Sequence, residues 1–235
     1  MEQDLILIDK PKGITSFDVI RRLRRSYSSM HNGEKAPKIG HAGTLDPLAT
    51  GLMVLGVGPG TKRLTELTKL DKEYIAEILI GESRTTSDME GEVVEEKAVV
   101  EAVEILRSKI STALTEMIGE LRLPVSAYSA IKVDGTPMYK RARMAEQKGE
   151  VVEDVPVRIM KVYEAKLLTV ELYADRAVAR VRFFVGSGTY IRSLAEELGR
   201  RLCYPACLHS LRRTKVGGFN IKDALQIEEV FKKAR

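Results

Sequence analysis

The sequence predicts an α+β protein, a mixed and largely antiparallel sheet flanked by helices. Short apolar runs follow one another at hairpin-like spacing, and helical periodicity appears between only some of them. No regular βαβ alternation, internal repeat or low-complexity linker interrupts the 235 residues. Without a break in composition the expectation is one domain over 1–235, long enough to bury its own core.

The first element, "LILIDK", is a short apolar strand that turns at Pro11 and Gly13. "TSFD" places Thr15 three residues before Asp18, the spacing of a capping box, so a helix starts there. Phe17, Ile20, Leu23 and Tyr27 share one face of it, while Arg21, Arg22, Arg24 and Arg25 take much of the remainder, as a solvated face or a phosphate-facing one. After the polar "SSMHNGEKAPK", "GLMVLGVG" reads as a buried strand and "EYIAEILIGE" as another. Val99, Val103, Leu106, Ile110, Leu114 and Met117 recur at three- and four-residue steps, a core-packing helix that Gly119 can end.

"SAIKVDGTPMY" predicts a strand, a turn at "VDG", and a helix capped by Thr136 with Pro137 at its first position and Gly149 past its end. Strands are expected over 157–163, 169–174 and 177–185, a helix over 190–202, a strand over 208–216 and a closing helix.

Composition excludes several classes. Lys+Arg 38 against Asp+Glu 33 leaves a formal charge of +5, which permits a polyanionic partner without establishing one. Two cysteines cannot frame a disulfide scaffold and no signal-peptide pattern opens the chain, so a cytoplasmic location is expected. No apolar run approaches the roughly 20 residues that span a bilayer, which argues against a membrane protein. Cys203, Cys207 and His209 fall short of the four ligands of a closed zinc site, so no metal is expected.

The segment "KIGHAGTLDPLATGLMVLGVGPGTK" is dense in glycine and carries a single carboxylate, Asp46, between Leu45 and the Pro47-Leu48 pair. An aspartate before proline is a common helix N-cap. Alternatively, glycines around a carboxylate let a ligand or another backbone come close. A buried carboxylate needs a cationic partner, and Arg192 in "VGSGTYIRSL" stands at a similar glycine-rich turn into a helix. Neither "GSGTYIR" nor "GVGPGTK" has the residue order of a P-loop or a dinucleotide fingerprint.

Six blocks occur in a set order: "DKPKGITSFDVI", the Asp46 segment, "DKEYIAEILIG", "SAYSAIKVDGTPMY", "GSGTYIRSLAEELG" and "LRRTKVGGF". In that order they resemble the TruB family, the bacterial tRNA pseudouridine synthases that act on the T-loop uridine at position 55. The resemblance implies the pseudouridine synthase fold and isomerisation of a uridine within tRNA, with no cofactor, no metal and no guide RNA, by a protein expected to be a monomer. It also implies roles. Asp46 matches the catalytic nucleophile, Arg192 its salt-bridging partner, and Tyr74 a tyrosine that stacks on the uracil. His41 matches a histidine near the extruded base, Tyr190 and Leu211 match pocket positions, and Lys132 lies in a block associated with the site.

Two departures stand out. Thr85 occupies a position where the family usually has aspartate, and the chain stops at Arg235, with no room for the C-terminal PUA domain that many members carry. Two other readings are open, a guide-RNA-dependent relative and an RNA-binding or RNA-folding module whose catalysis is incidental or lost. Basic residues gather at 21–25, 139–143 and 211–215, and the resemblance places the second and third clusters beside RNA.

Overall fold

The computed structural model describes residues 4–129, 131–147 and 155–230. Its strands are β1 (Leu5–Lys10), β2 (Ile39–His41), β3 (Thr50–Val57), β4 (Lys72–Ile80), β5 (Glu82–Arg84), β6 (Val93–Glu96), β7 (Gly119–Pro124), β8 (Lys132–Val133), β9 (Thr136–Pro137), β10 (Val157–Tyr173), β11 (Arg176–Val185), β12 (Ala206–Val216) and β13 (Phe219–Asn220). The helices are α1 (Ser16–Met30), α2 (Leu64–Thr68), α3 (Val103–Glu116), α4 (Met138–Glu146) and α5 (Ile191–Leu202). The main sheet has the order β1-β3-β12-β4-β11-β10-β7, with β2 on β3 and β13 on β12. The β1–β3, β2–β3, β7–β10 and β12–β13 pairings are antiparallel and β3–β12 is parallel, so the expected mixed sheet is the one that forms. The chain divides into two compact units, 1–75 with 184–187 and 211–235, and 76–183 with 188–210.

In the first unit β3 is apolar from Gly51 onward because it is buried from there onward: Leu52, Met53, Val54 and Leu55 are fully inaccessible. Ala42, Leu52, Val54, Leu67 and Val216 form a core cluster against which Leu5, Leu7 and Phe219 pack. β12 enters parallel to β3 with Arg213 opposite Gly51. Gly51 sits at φ +103°, and a Cβ there would lie 2.3 Å from the Arg213 carbonyl oxygen, so only glycine allows this crossing.

Helix α1 starts as expected. The Asp18 N–H donates to Thr15 Oγ1 at 3.0 Å and the Thr15 N–H to Asp18 Oδ2 at 3.0 Å, a complete capping box. Its buried stripe is Ser16, Val19, Ile20 and Leu23, whereas Phe17 is 62% exposed, against the expected apolar face. The reason is polar: the Ser16 hydroxyl is hydrogen-bonded inward to both the N–H and the carbonyl of Leu45, which turns Phe17 outward. After Asp46 no helix begins, so the N-cap alternative falls away. The Ala49 N–H donates to the Asp46 carbonyl at 3.1 Å and closes a turn in which Pro47 supplies a preset φ.

In the second unit α3 packs on β10 and α5 through Leu106, Ile110 and Leu114. It begins at Val103 behind Ala102, so Val99, although buried, precedes it. The two strands expected over 157–163 and 169–174 are one 17-residue strand, β10. Asp134 and Gly135 both take positive φ, 51° and 77°, in a two-residue hairpin turn between β8 and β9. Thr136 and Pro137 therefore belong to β9, and α4 starts only at Met138; Gly149 lies outside the described residues. α5 begins behind Tyr190 and ends through Cys203 in the left-handed region, φ 58°. The closing segment shows single 3₁₀ turns at Ile221–Asp223 and Ile227–Glu229, and 231–235 fall outside the described residues. No described helix is long and apolar enough to cross a membrane.

Gly51→Ala is expected to destabilise the fold by about 1–3 kcal/mol from the unfavourable φ alone, and by more from displacing β12. Denaturant unfolding measures this; an unchanged midpoint contradicts the close approach of β3 and β12.

Candidate active site

The half-buried Asp46 lies between buried Leu45 and Leu48. Its backbone neighbours are pinned from two directions within the first unit. From the α1 side, the Leu45 N–H donates to Ser16 Oγ at 2.8 Å, and the Gly13 N–H donates to the Pro47 carbonyl at 2.8 Å. Lys10, fully buried, donates to the carbonyls of Pro11 at 2.9 Å, Ile14 at 2.6 Å and Pro47 at 3.4 Å. From the β12 side, the 1%-exposed Arg213 donates from Nε to Leu52 O at 2.7 Å, from Nη2 to Gly43 O at 3.1 Å and from Nη1 to Thr44 O at 3.5 Å. Carbonyls at 43, 44, 45 and 47 thus all have fixed donors, and a carboxylate at 46 inherits that rigidity.

Gly43 takes φ +110°, and a Cβ on it would lie 3.4 Å from Arg213 Nη1 and 3.9 Å from Lys72 Cε, so two cationic side chains run beneath the loop. Lys72 donates to Thr68 O and Leu70 O, both at 2.6 Å, and to Ser187 Oγ at 3.3 Å. Burial, reinforced by the Arg213 charge and opposed by Asp71, brings its ammonium down to a pKa of about 8. Burial and then Arg213 also push His41 below its ordinary value, so its imidazole is neutral at pH 7 and suited to hydrogen bonding rather than to neutralising a phosphate. Tyr74, two residues beyond Lys72 on the same face of β4, is 8% exposed. Leu211 is 9% exposed, and its carbonyl accepts from the Thr50 hydroxyl at 3.3 Å.

In the second unit Arg192 stands in the first turn of α5, 6% exposed. Its Nη1 donates to Thr86 O at 3.2 Å and its Nη2 to Tyr128 O at 3.1 Å, with Asp88 Oδ2 at 3.6 Å from Nη1. Asp88 is 2% exposed, and its Oδ1 accepts from the Thr86 hydroxyl at 2.6 Å and the Glu90 N–H at 3.1 Å. Sequence reasoning missed Asp88 as a holder of Arg192. The available signal was an aspartate two residues before glycine-bearing "EGE", in the very run where Thr85 drew attention. Thr85 itself is a turn residue: its Oγ1 accepts from the Glu92 N–H at 3.1 Å and lies 2.6 Å from where a Cβ on Gly91 would sit. Tyr190 is half-buried at the start of α5, and Lys132 pairs by its backbone with Pro137 in the β8–β9 hairpin. Of the anticipated residues, Asp46, His41, Tyr74 and Leu211 belong to the first unit and Arg192, Tyr190 and Lys132 to the second.

Among the described residues no group of three or more His, Cys, Asp or Glu could hold a metal ion. Burial pushes the Cys207 thiol up to about 12, so it keeps its proton, and Cys203 is exposed at the end of α5. The cations of the third basic cluster have partners within the protein. Arg212 grips Asp9 with two bonds of 3.1 and 2.6 Å, Lys215 pairs with Glu73 at 3.1 Å, and Arg213 is inside.

Residues 30–191 match the model of the TruB family pseudouridylate synthase (N terminal domain). The chain is 42% identical to the tRNA pseudouridine synthase B of Leifsonia xyli subsp. xyli over 95% of this chain and 70% of that protein. It is 41% identical to that of Corynebacterium efficiens, over 98% and 73%, and 39% identical to that of Mycobacterium leprae, over 96% and 68%. Among solved structures, a Cbf5-Nop10-Gar1 complex aligns with a TM-score of 0.64 at 26% identity, over 96% of this chain and 53% of that one. An H/ACA RNP bound to a substrate RNA containing 2'-deoxyuridine aligns with a TM-score of 0.63 at 24% identity, over 96% and 51%, a likeness of fold.

The Lys72 site has a measurable consequence. Its folded pKa, about 8, lies below the ordinary lysine value of 10.5, so between these values the unfolded chain binds the proton that the folded chain has released. Stability gains from this group as pH rises through that window, and the burial penalty is fully present below it. Relative to Lys72→Met, wild type is expected to gain about 3 kcal/mol between pH 8 and 10.5, at 1.36 kcal/mol per pKa unit. A pH-independent difference in unfolding free energy contradicts the buried, depressed ammonium.

Proposed function

We propose, since this chain belongs to the TruB family of pseudouridylate synthases, that it isomerises the T-loop uridine at position 55 of tRNA to pseudouridine without a guide RNA. The relatives at about 40% identity bear the name tRNA pseudouridine synthase B, which supports tRNA as the substrate. The observation that carries the reading is the carboxylate of Asp46 in a loop whose flanking carbonyls are all tied down.

The chemistry asks for little besides such a group. The N1–C1′ bond breaks, the uracil turns, C5 joins the same sugar carbon, and the C5 proton is lost as N1 gains one. Nothing is oxidised and no group donor is consumed. A carboxylate serves as a covalent nucleophile, and we assign that role to Asp46, with Arg192 as the guanidinium that pairs with it. The target base sits in a folded loop and must be extruded, at a few kcal/mol of unstacking. Stacking on an aromatic side chain is worth roughly 1–3 kcal/mol per base, and Tyr74 is assigned that part. His41, neutral at pH 7, is assigned contact with RNA near the extruded base, Tyr190 and Leu211 are assigned substrate-pocket positions, and Lys132 belongs to a block associated with the site. The protein acts in the cytoplasm as a monomer.

Two variants test these assignments against an unmodified T-stem-loop transcript with no other RNA added. Asp46→Asn is expected to bind within a few-fold of wild type and to form no detectable pseudouridine; substantial turnover rules out the nucleophile. Arg192→Lys is expected to lose most turnover and little affinity, because an ammonium cannot reproduce the two-pronged grip of a guanidinium. Normal turnover of that variant removes Arg192 from the site.

A further inference from the structure

Of the three basic clusters, 211–215 pairs Arg212 with Asp9 and Lys215 with Glu73 and buries Arg213, and in 139–143 Arg141 pairs with Asp134 at 3.4 Å. The cluster on α1 is different. Arg21, Arg22, Arg24 and Arg25 are all exposed, and Arg21 and Arg22 share the field of one acid, Asp18. Arg24 reaches only the Ile39 carbonyl, at 3.3 Å. The single acid on this face, Asp18, is occupied by the Thr15 cap at 2.7 Å and by Arg21 at 2.7 Å.

The placement of these arginines matters as much as their number. Ser16, the first residue of α1, is bonded to Leu45, the neighbour of Asp46, so the helix starts at the catalytic loop and runs away from it. At 1.5 Å per residue Arg25 lies roughly 14 Å along the axis from Ser16, the reach of a few nucleotides. Phe17, 62% exposed, occupies the end nearest the loop, and Arg21 and Arg24 follow it at the i+4 and i+7 positions of one stripe. An exposed phenyl followed by guanidiniums presents a stacking face and then phosphate ligands. A lipid surface fits poorly, because the apolar residues that a membrane helix inserts, Val19, Ile20 and Leu23, are buried in the protein.

We infer that the outward face of α1 is an RNA-binding surface that holds backbone phosphates of the strand flanking the target uridine, with Phe17 against a flanking base. This deepens the proposed function, on which it rests for the identity of the RNA. Charge complementarity between a solvent-facing arginine row and a polyanion, in register with the catalytic loop, carries it.

The test compares wild type, Arg21→Gln/Arg22→Gln/Arg25→Gln and Arg21→Lys/Arg22→Lys/Arg25→Lys for affinity to an unmodified T-stem-loop over a range of salt. The glutamine triple is expected to bind at least tenfold more weakly at low salt, with its log-log salt slope shallower by about 2 to 3, at 0.7–0.9 per phosphate released. Its single-turnover rate at saturating RNA should stay within about twofold, and the lysine triple should keep the wild-type slope. Unchanged affinity and slope in the glutamine triple overturn the inference, as does an equal loss in the lysine triple, which points to folding rather than charge. So does loss of binding to phosphatidylglycerol vesicles with RNA affinity intact. Product formation by wild type is scored separately: its absence sinks the proposed function, while the affinity series still judges α1.

Discussion

A guanidinium taken out of water must find acceptors for its N–H groups, and Arg213 finds them in three carbonyls of the polypeptide that surrounds it. That requirement organises the first unit. β12 has to lie close enough to β3 for Nε to reach Leu52, which is possible only because Gly51 presents no side chain to the Arg213 backbone. The loop after β2 has to bring the carbonyls of Gly43 and Thr44 inward, which Gly43 permits through its left-handed conformation. Asp46 follows two residues later, and its position is a consequence of how the arginine is satisfied. Leaving one buried donor without its partner costs about 1–3 kcal/mol, more for a charged group, so the arrangement has few near-equivalents.

Because the partners are carbonyls rather than carboxylates, the charge of Arg213 remains felt nearby. It adds to burial in lowering the pKa of both His41 and Lys72. The loop that carries Asp46 thus rests on fixed positive charge while its histidine stays neutral, an environment that favours a polyanion and still offers an uncharged hydrogen-bonding group. In the second unit Asp88, Thr86 and Tyr128 hold Arg192 by one carboxylate and two carbonyls, so that this side chain too is oriented before any substrate arrives. A side chain oriented in advance has less freedom to lose when a substrate is positioned against it.

Much of this was legible in the sequence. The capping box at Thr15 and Asp18, the continuous apolar run of β3 and the periodicity of α3 are local signals, and each produced its element. Asp46 stood out as the only carboxylate in a glycine-rich block, and the order of six such blocks pointed to the family. What escaped depends on partners far away in the chain. Arg212 and Asp9 lie 203 residues apart and Lys215 and Glu73 142 apart, so "LRRTK" reads as a basic surface until the structure pairs it off. Phe17 has the right spacing to be buried, but the Ser16 hydroxyl and its bonds to Leu45 decide which side of α1 faces in. Arg192 was recognised and Asp88 was not: the "SDMEGE" run marks the aspartate as notable, but nothing local says that it holds an arginine 104 residues on.

The proposed reaction is one chemical event, exchange of the glycosidic bond from N1 to C5 of a single uridine. A T-stem-loop transcribed with tritium at C5 of every uridine reports it directly, because C5 loses its hydrogen only where it becomes the new attachment point. Incubated with the protein alone, such an RNA is predicted to release one tritium per molecule to solvent while its chain stays intact. Release from several positions, or none without an added guide RNA or cofactor, contradicts the account.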